Sequence, residues 1–540
     1  MVSVEQTDEK TRSEGTQNVG GDKVTVTVTE GLYTDNENAA LDPVYALKAG
    51  ILNDALSEIG MGRYQWAVFC VTGFGWFATQ LWSTVTALIL TQVVNEFGSE
   101  APWLNLGQNS GLLVGVVFWG VGSDVWGRTP SFNITLLIAG VFAVAGGASP
   151  TYVALCALAA CWSVGVGGNW PVDSAIFLEF VPREGQYLLT VLSIWWPLGQ
   201  LAASLIAWPL LGSVNFSCPT GTTAAPLPCP KDSNMGWRYL LYTTGGLMLV
   251  LWFIRFAIFN LWESPKYLMG RGRDAEAVDV IHKVAAYNKT TSSLTLEMLE
   301  KVGRLEGHSD EERAQRKAGH DTSALGAIRR NLSKLSTSHL RRLFSTRRLA
   351  LSTSLLCVIW ALIGLAFPLY NNFVPYYLAT RGADFGDGSV YITYRNQAII
   401  SVLGVPGVLL AGGMVEVPYL GRRGTLAIST VLTGVFILAS TTARTSNALL
   451  GWNCGYSFTS NVMYGVLDAV SPEVFPTKDR GTGNGLVGGV NALFGVMAPI
   501  VALYANLTSS VPIFIAGALF LLSGLVALLL PFEPRGRASL

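Results

Sequence analysis

Apolar residues in this chain fall into twelve blocks, and that pattern constrains the fold more than any motif does. They are 65–92, 107–123, 131–148, 151–178, 187–212, 238–260, 349–379, 392–415, 424–442, 446–470, 482–506 and 511–531. A hydrocarbon core of ~30 Å is crossed by roughly 20 apolar residues in helical form. Backbone N–H and C=O groups find no water there, so each block must pair them internally as a helix. The predicted class is an all-α membrane protein with twelve transmembrane helices in two six-helix lobes.

Composition agrees. Half of the 540 residues are hydrophobic and 13% are charged, against about 25% charged in soluble domains. Residues 1–63 and 261–348 are polar. The first is read as a cytoplasmic tail, mostly disordered for want of large apolar groups. The second is a cytoplasmic linker between lobes at 64–260 and 349–531, and 532–540 is a second cytoplasmic tail. Within the linker, Asp274 is placed to cap an amphipathic helix that carries Ala277, Val278, Ile281, Val284 and Ala285 on one face. No signal-peptide pattern opens the chain.

Orientation follows from the basic residues. With the N-terminus inside, alternation through twelve spans places 30 of the 36 Lys and Arg on the inner side. Only Lys231, Arg238, Arg381, Arg395 and Arg444 fall outside, and Arg255 lies within a span, where it is expected to snorkel to the inner face. Inner loops of membrane proteins are enriched in Lys and Arg, so both termini are placed in the cytoplasm. A plasma-membrane location and a monomer are expected. Cys218 and Cys229 then share the longest outer loop, where an oxidising compartment permits a disulfide. Asn215 heads a glycosylation sequon in that loop.

The two halves repeat inner-face signals. GVGSDVWGR (120–128) corresponds to GGMVEVPYLGRR (412–423), with 292 residues between Asp124 and Glu416. EFVP (179–182) corresponds to EVFPTKDRG (473–481), with 294 residues between Glu179 and Glu473. A duplicated six-helix unit accounts for both. The Gly-x-x-x-Asp-x-x-Gly-Arg run resembles the signature loop of the major facilitator superfamily. ESPKYL (263–268) is similar to its sugar-porter branch. GMGRYQW (60–66), GGNWPVD (167–173) and PEVFPTKDRGTGNG (472–485) resemble its synaptic-vesicle-2-related, SVOP-like members. The resemblance spans about 58–532. It implies a secondary transporter working by alternating access, and it implies carboxylate–guanidinium pairs at the inner helix ends. Asp124, Arg128, Glu179, Glu416, Arg422, Arg423, Glu473 and Arg480 are the candidates here for such a gate. Related proteins carry an acid in the first span, where this chain has Thr79.

Carboxylates inside spans are costly and mark function. Asp173 and Asp468 are the proton-coupling candidates. Cargo in a two-lobed transporter sits between the lobes near mid-membrane. Polar and aromatic residues at mid-span make Trp76, Thr79, Gln80, Asn169, Gln200, Tyr370, Asn371, Asn372, Tyr376, Asn453, Tyr456 and Asn461 the substrate-binding candidates. Amides and aromatic faces suit a neutral or weakly polar organic solute. All four histidines lie in the linker, so no cofactor or metal is expected, and no nucleic-acid partner; membrane lipid is. GTGNGLVG (481–488) lacks the strand that a dinucleotide site requires. The chain is read as a symporter or uniporter of a small organic solute. The rival reading is a sensor or trafficking protein on the same scaffold.

Overall fold

The computed structural model describes residues 14–19, 22–27, 43–185, 188–218, 229–304, 343–384, 389–415, 417, 420–475, 480–505 and 509–531. Strands β1 (Glu14–Val19) and β2 (Asp22–Thr27) form an antiparallel hairpin. Helix α1 (Pro43–Ile59) precedes the first lobe. That lobe comprises α2 (Arg63–Phe97), α3 (Pro102–Trp126), α4 (Arg128–Gly147), α5 (Tyr152–Gly167) continued by α6 (Asn169–Phe180), α7 (Leu188–Leu192) continued by α8 (Trp195–Leu211), and α9 (Gly236–Phe253), which ends in a π turn at Ile254–Ile258. Linker helices α10 (Pro265–Gly270), α11 (Asp274–Tyr287) and α12 (Leu296–Arg304) follow. The second lobe comprises α13 (Arg347–Asn371) with α14 (Val374–Asp384), α15 (Val390–Val402) with α16 (Gly404–Val415), α17 (Gly421–Ser440), α18 (Ser446–Val474), α19 (Arg480–Tyr504) and α20 (Val511–Ala527).

Twelve helical segments therefore stand where the sequence has twelve apolar blocks. Eight of them are long and apolar enough to cross a membrane on those criteria alone. The others include α20, at 17 residues, and α18, which buries Asn453, Ser457, Ser460, Asp468 and Ser471 among its apolar residues. Several helix starts are capped by hydroxyls: Thr151, Thr346 and Thr445 each accept from the backbone N–H three residues on.

Close backbone approach holds the first lobe together. Gly107, Gly111 and Gly115 recur every fourth residue on α3 and face the carbonyls of Cys156, Ala160 and Val164 on α5. Small residues at this spacing let membrane helices pack backbone to backbone. A Cβ at Gly111 would collide with the Ala160 carbonyl oxygen. Gly111→Ala is expected to destabilise by about 1–3 kcal/mol, measured by thermal unfolding in detergent. Helix propensity alone predicts a gain of about 1 kcal/mol, so the sign of the change decides between packing and propensity.

One end of the bundle, here the tail face, carries a helical platform. Helix α1 stands within the segment read as a cytoplasmic tail and packs on α10, α11 and α12. Ala277, Val278, Ile281, Val284 and Ala285 are buried there. Leu52 and Leu56 of α1 join the same core. Asp274 does not cap α11. It lies in the first turn and pairs with Lys48 of α1, because α1 brings an ammonium to it.

Glu58 completes the clasp by accepting from Ser293 N–H at 3.1 Å and Ser293 Oγ at 2.8 Å. These bonds hold the Glu58 carboxyl below its ordinary value of 4.5. A depressed carboxylate contributes fully above its unfolded value, and the contribution is lost as pH falls through the folded value. Release of α1, followed by limited proteolysis, should therefore rise as pH drops below 4.5. Ser293→Ala should move that onset to higher pH.

The opposite end, the disulfide face, holds a buried cluster. Glu96 at the end of α2 accepts from Arg238 Nη1 at 2.9 Å and Nη2 at 2.7 Å. It also accepts from Trp237 Nε1 at 2.9 Å and Asn234 Nδ2 at 3.0 Å. Gln92 donates to the Cys218 carbonyl at 3.3 Å, and a disulfide joins Cys218 to Cys229. The described ends of the disulfide-bearing loop are thus pinned to α2 and α9. Asn215 is exposed on this face.

Candidate functional site

A central cavity lies in the seam between the lobes. The first lobe contributes Gln80 from α2 and Trp196 and Gln200 from α8. The second contributes Phe367 and Asn371 from α13, and Tyr456, Ser457, Ser460, Asn461 and Tyr464 from α18. It holds about one water in this closed arrangement. Its lining has four amides, four aromatic rings, two of them phenols, and two serine hydroxyls, with no charged side chain. Tyr456 Oη donates to Asn371 Oδ1 at 3.4 Å, and Asn461 Nδ2 donates to the Ser457 carbonyl at 2.8 Å.

Five of the substrate-binding candidates line this cavity: Gln80, Gln200, Asn371, Tyr456 and Asn461. The others fall elsewhere. Tyr370 donates to Asn453 Oδ1 at 3.0 Å and to Ser440 at 3.3 Å, so Tyr370 and Asn453 are partners inside the second lobe. Tyr376 faces a separate aromatic recess with Tyr377 and Pro512. Asn372 accepts from Ser83 at 3.3 Å across the seam on the disulfide side. Thr79 bonds back to the Gly75 carbonyl at 2.9 Å. Trp76 packs on Trp196 with tilted rings, centroids 5.6 Å apart, behind the cavity wall.

Phe367, Ser457, Ser460 and Tyr464 were missed as binding candidates. Helical spacing carried the signal for the last three. Asn453, Ser457, Ser460, Tyr464 and Asp468 form one stripe along α18, each three or four residues from the next.

Asp173 and Arg255 occupy the floor of the first lobe. Arg255 Nη2 donates to Asp173 Oδ1 at 2.6 Å, and both side chains are 0% exposed. Arg255 Nη1 donates to the Phe132 carbonyl at 2.9 Å, and the guanidinium lies 3.2 Å from the Phe132 ring centroid. The expectation that Arg255 snorkels to the inner face is therefore corrected. The π turn at Ile254–Ile258 directs it inward, and a partner carboxylate offsets its desolvation. Gly75 makes room on α2, since a Cβ there would strike Asp173 Oδ2. That oxygen and both amide atoms of the adjoining Asn169 have no hydrogen-bond partner among the described residues.

Asp468 on α18 is 4% exposed, and neither of its oxygens has a hydrogen-bond partner among the described residues. It lies one turn from Ser471, whose hydroxyl accepts from Trp360 Nε1 at 2.8 Å.

Four of the gate candidates, Arg128, Glu179, Arg422 and Arg423, lie among the described residues. Arg128 Nη2 lies 3.4 Å from Glu179 Oε1, but α4 and α6 belong to the same lobe, so this pair does not bridge the seam. Glu263 explains the geometry. It accepts from the backbone N–H of Arg128 at 3.0 Å and of Thr129 at 3.4 Å, as an acid does at a helix N-terminus. Arg423 bonds the Leu528 carbonyl, and Arg422 stands beside it at the start of α17. The side chains of Asp124, Glu416, Glu473 and Arg480 lie outside the described residues.

Among the described residues, direct polar contacts across the seam include three on other helices. Asn109 donates to the Gly495 carbonyl at 2.8 Å, Tyr394 to the Leu88 carbonyl at 3.1 Å, and Ser204 and Ser401 share a bond of 2.8 Å.

Known proteins share this arrangement. A model of the Major Facilitator Superfamily matches residues 66–420. The MFS siderochrome iron transporter 1 of Ceriporiopsis subvermispora is 58% identical over 504 residues, covering 93% of this chain and 94% of that protein. The major facilitator-type transporter hxnZ of Emericella nidulans is 38% identical, covering 92% and 88%. Among solved structures, the xylose transporter XylE from E. coli, in a partially occluded inward-open conformation, superposes with a TM-score of 0.61. It is 16% identical and covers 88% of this chain and 99% of that one, a likeness of fold. With its two six-helix lobes and a cavity in their seam, the chain belongs to the Major Facilitator Superfamily and is a membrane transporter of small solutes, not an enzyme.

Proposed function

We propose that the protein is a proton-coupled symporter of a neutral or weakly polar organic solute, with cargo in the central cavity and Asp468 carrying the proton. One observation carries the reading: the cavity takes amides from both lobes, Gln80 and Gln200 facing Asn371 and Asn461. A solute bonded to all four couples the lobes, and its release on either side follows their rocking. The uncharged lining favours hydrogen bonding and ring stacking over ion pairing. The siderochrome iron named for the 58% identical relative is one cargo class to be tested.

Asp173 has a different part. Pinned by Arg255 at 2.6 Å, it is an anchor within the first lobe, and Asp468, with no such partner among the described residues, is the group that exchanges a proton when water reaches it. Both termini are placed in the cytoplasm, supported by the Lys and Arg distribution and by a disulfide on the opposite face.

The test is flux into liposomes containing the purified protein, screened over ferric siderochromes, sugars, aromatic acids and organic cations, with and without a pH gradient. Saturable flux of one class, lost in Gln200→Leu with Asn371→Leu, supports the reading. Binding of a solute with no flux under any gradient would replace it with the sensor reading.

A further inference from the structure

On the tail side of the cavity the two lobes touch through aromatic rings. Trp196 of α8 meets Tyr464 of α18 with ring centroids 5.2 Å apart. Phe367 of α13 closes on the same Tyr464 ring at 4.9 Å. Nearby, Trp170 of α6 meets Trp360 of α13 at 5.7 Å. Trp170 also covers Gly488 of α19, where a Cβ would approach the ring to 2.9 Å. Trp360 is held from behind by Ser471. Trp196 and Tyr464 are cavity lining as well as contact, so nothing separates the bound solute from this layer.

We propose that these two cross-lobe aromatic pairs, Trp196–Tyr464 and Trp170–Trp360, form the tail-side gate of the cavity. The inference rests on the alternating-access reading and assigns its inner barrier. Aromatic pairs suit a gate. They exclude water by bulk, gain modest energy from tilted packing, and part without leaving a charge unpaired. The ion pair Arg128–Glu179 would not serve, because both of its members move with one lobe. On the disulfide side the lobes meet through hydrogen bonds, Ser83–Asn372 and Tyr394–Leu88, and one further tilted ring pair, Trp208–Tyr391 at 5.6 Å. The two barriers use different residues and can be weakened separately.

The experiment uses the full chain with Cys70, Cys156, Cys161, Cys357 and Cys454 replaced by serine or alanine, the disulfide kept, and Ser460→Cys as a reporter in the cavity. Sealed vesicles of each orientation receive a membrane-impermeant maleimide on one face. Trp170→Ala with Trp360→Ala is expected to raise labelling from the tail face about ten-fold, as the loss of a closed-state contact shifts the gate toward open. Labelling from the disulfide face should hold or fall. Trp170→Phe with Trp360→Phe keeps ring contact and should label like the parent, and it serves as the folded control. Unchanged tail-face labelling in the alanine variant would overturn the gate, and so would an equal rise from both faces. Flux by the parent protein is measured alongside. Its absence counts against alternating access, whereas the labelling result bears on the gate alone.

Discussion

Arg255→Met is expected to lower stability by about 3–5 kcal/mol, and adding Asp173→Asn to recover most of that loss. Both partners are fully buried and joined at 2.6 Å. Removing the guanidinium leaves a carboxylate in a low-dielectric site whose second oxygen already has no hydrogen-bond partner among the described residues. The cost is that of an uncompensated buried charge, and it exceeds the modest net value of the pair itself. Substituting both members removes both charges, so the doubly neutral floor should pack nearly as well as the parent. Asp173→Asn alone keeps Arg255 bonded to the Phe132 carbonyl and seated on its ring, and should fall between. Thermal unfolding of the four proteins in one detergent, analysed as a double-mutant cycle, measures the coupling. Additive losses would show that Arg255 and Asp173 do not act as a pair.

The helices were legible in the sequence because hydrocarbon leaves the backbone one solution, and blocks such as 349–379 and 482–506 state it directly. The linker helix at Asp274–Tyr287 was legible for a related reason, an apolar stripe at helical spacing. Pairings between distant charges were not. Glu96 and Arg238 are 142 residues apart, and nothing in either neighbourhood names the other. Arg255 looked peripheral because it stands near the end of a span; a π turn, invisible in composition, sends it inward. The substrate candidates divided along the same line. Tyr456 and Asn461 of α18 line the cavity. Tyr370 and Asn453 satisfy each other inside one lobe, which a list of mid-span polar residues cannot distinguish. Repeated motifs at the helix ends suggested gating ion pairs; the described pair among them, Arg128–Glu179, lies within one lobe, where Glu263 holds the start of α4.

Asp468→Asn should abolish proton-driven accumulation while leaving solute exchange in place. The side chain is 4% exposed, with neither oxygen bonded among the described residues. An ionised carboxylate without a partner is expensive at that depth, so the charged form is tolerated only when the rocking lobes admit water. A carrier of this kind takes a proton on one side and surrenders it on the other, tying each cycle to a proton. One pH unit corresponds to about 1.4 kcal/mol, so one proton per solute supports about ten-fold accumulation across a one-unit gradient. The amide keeps the shape of the acid and cannot ionise. Accumulation should therefore collapse to about one-fold, with counterflow of labelled against unlabelled solute retained, since the cavity amides Gln80, Gln200, Asn371 and Asn461 are untouched. Asp173→Asn supplies the contrast. If Asp173 is an anchor, its loss lowers the amount of folded protein, and the gradient dependence of what remains is unchanged. Accumulation that survives in Asp468→Asn and vanishes in Asp173→Asn would move the proton to the first lobe and reverse the two assignments.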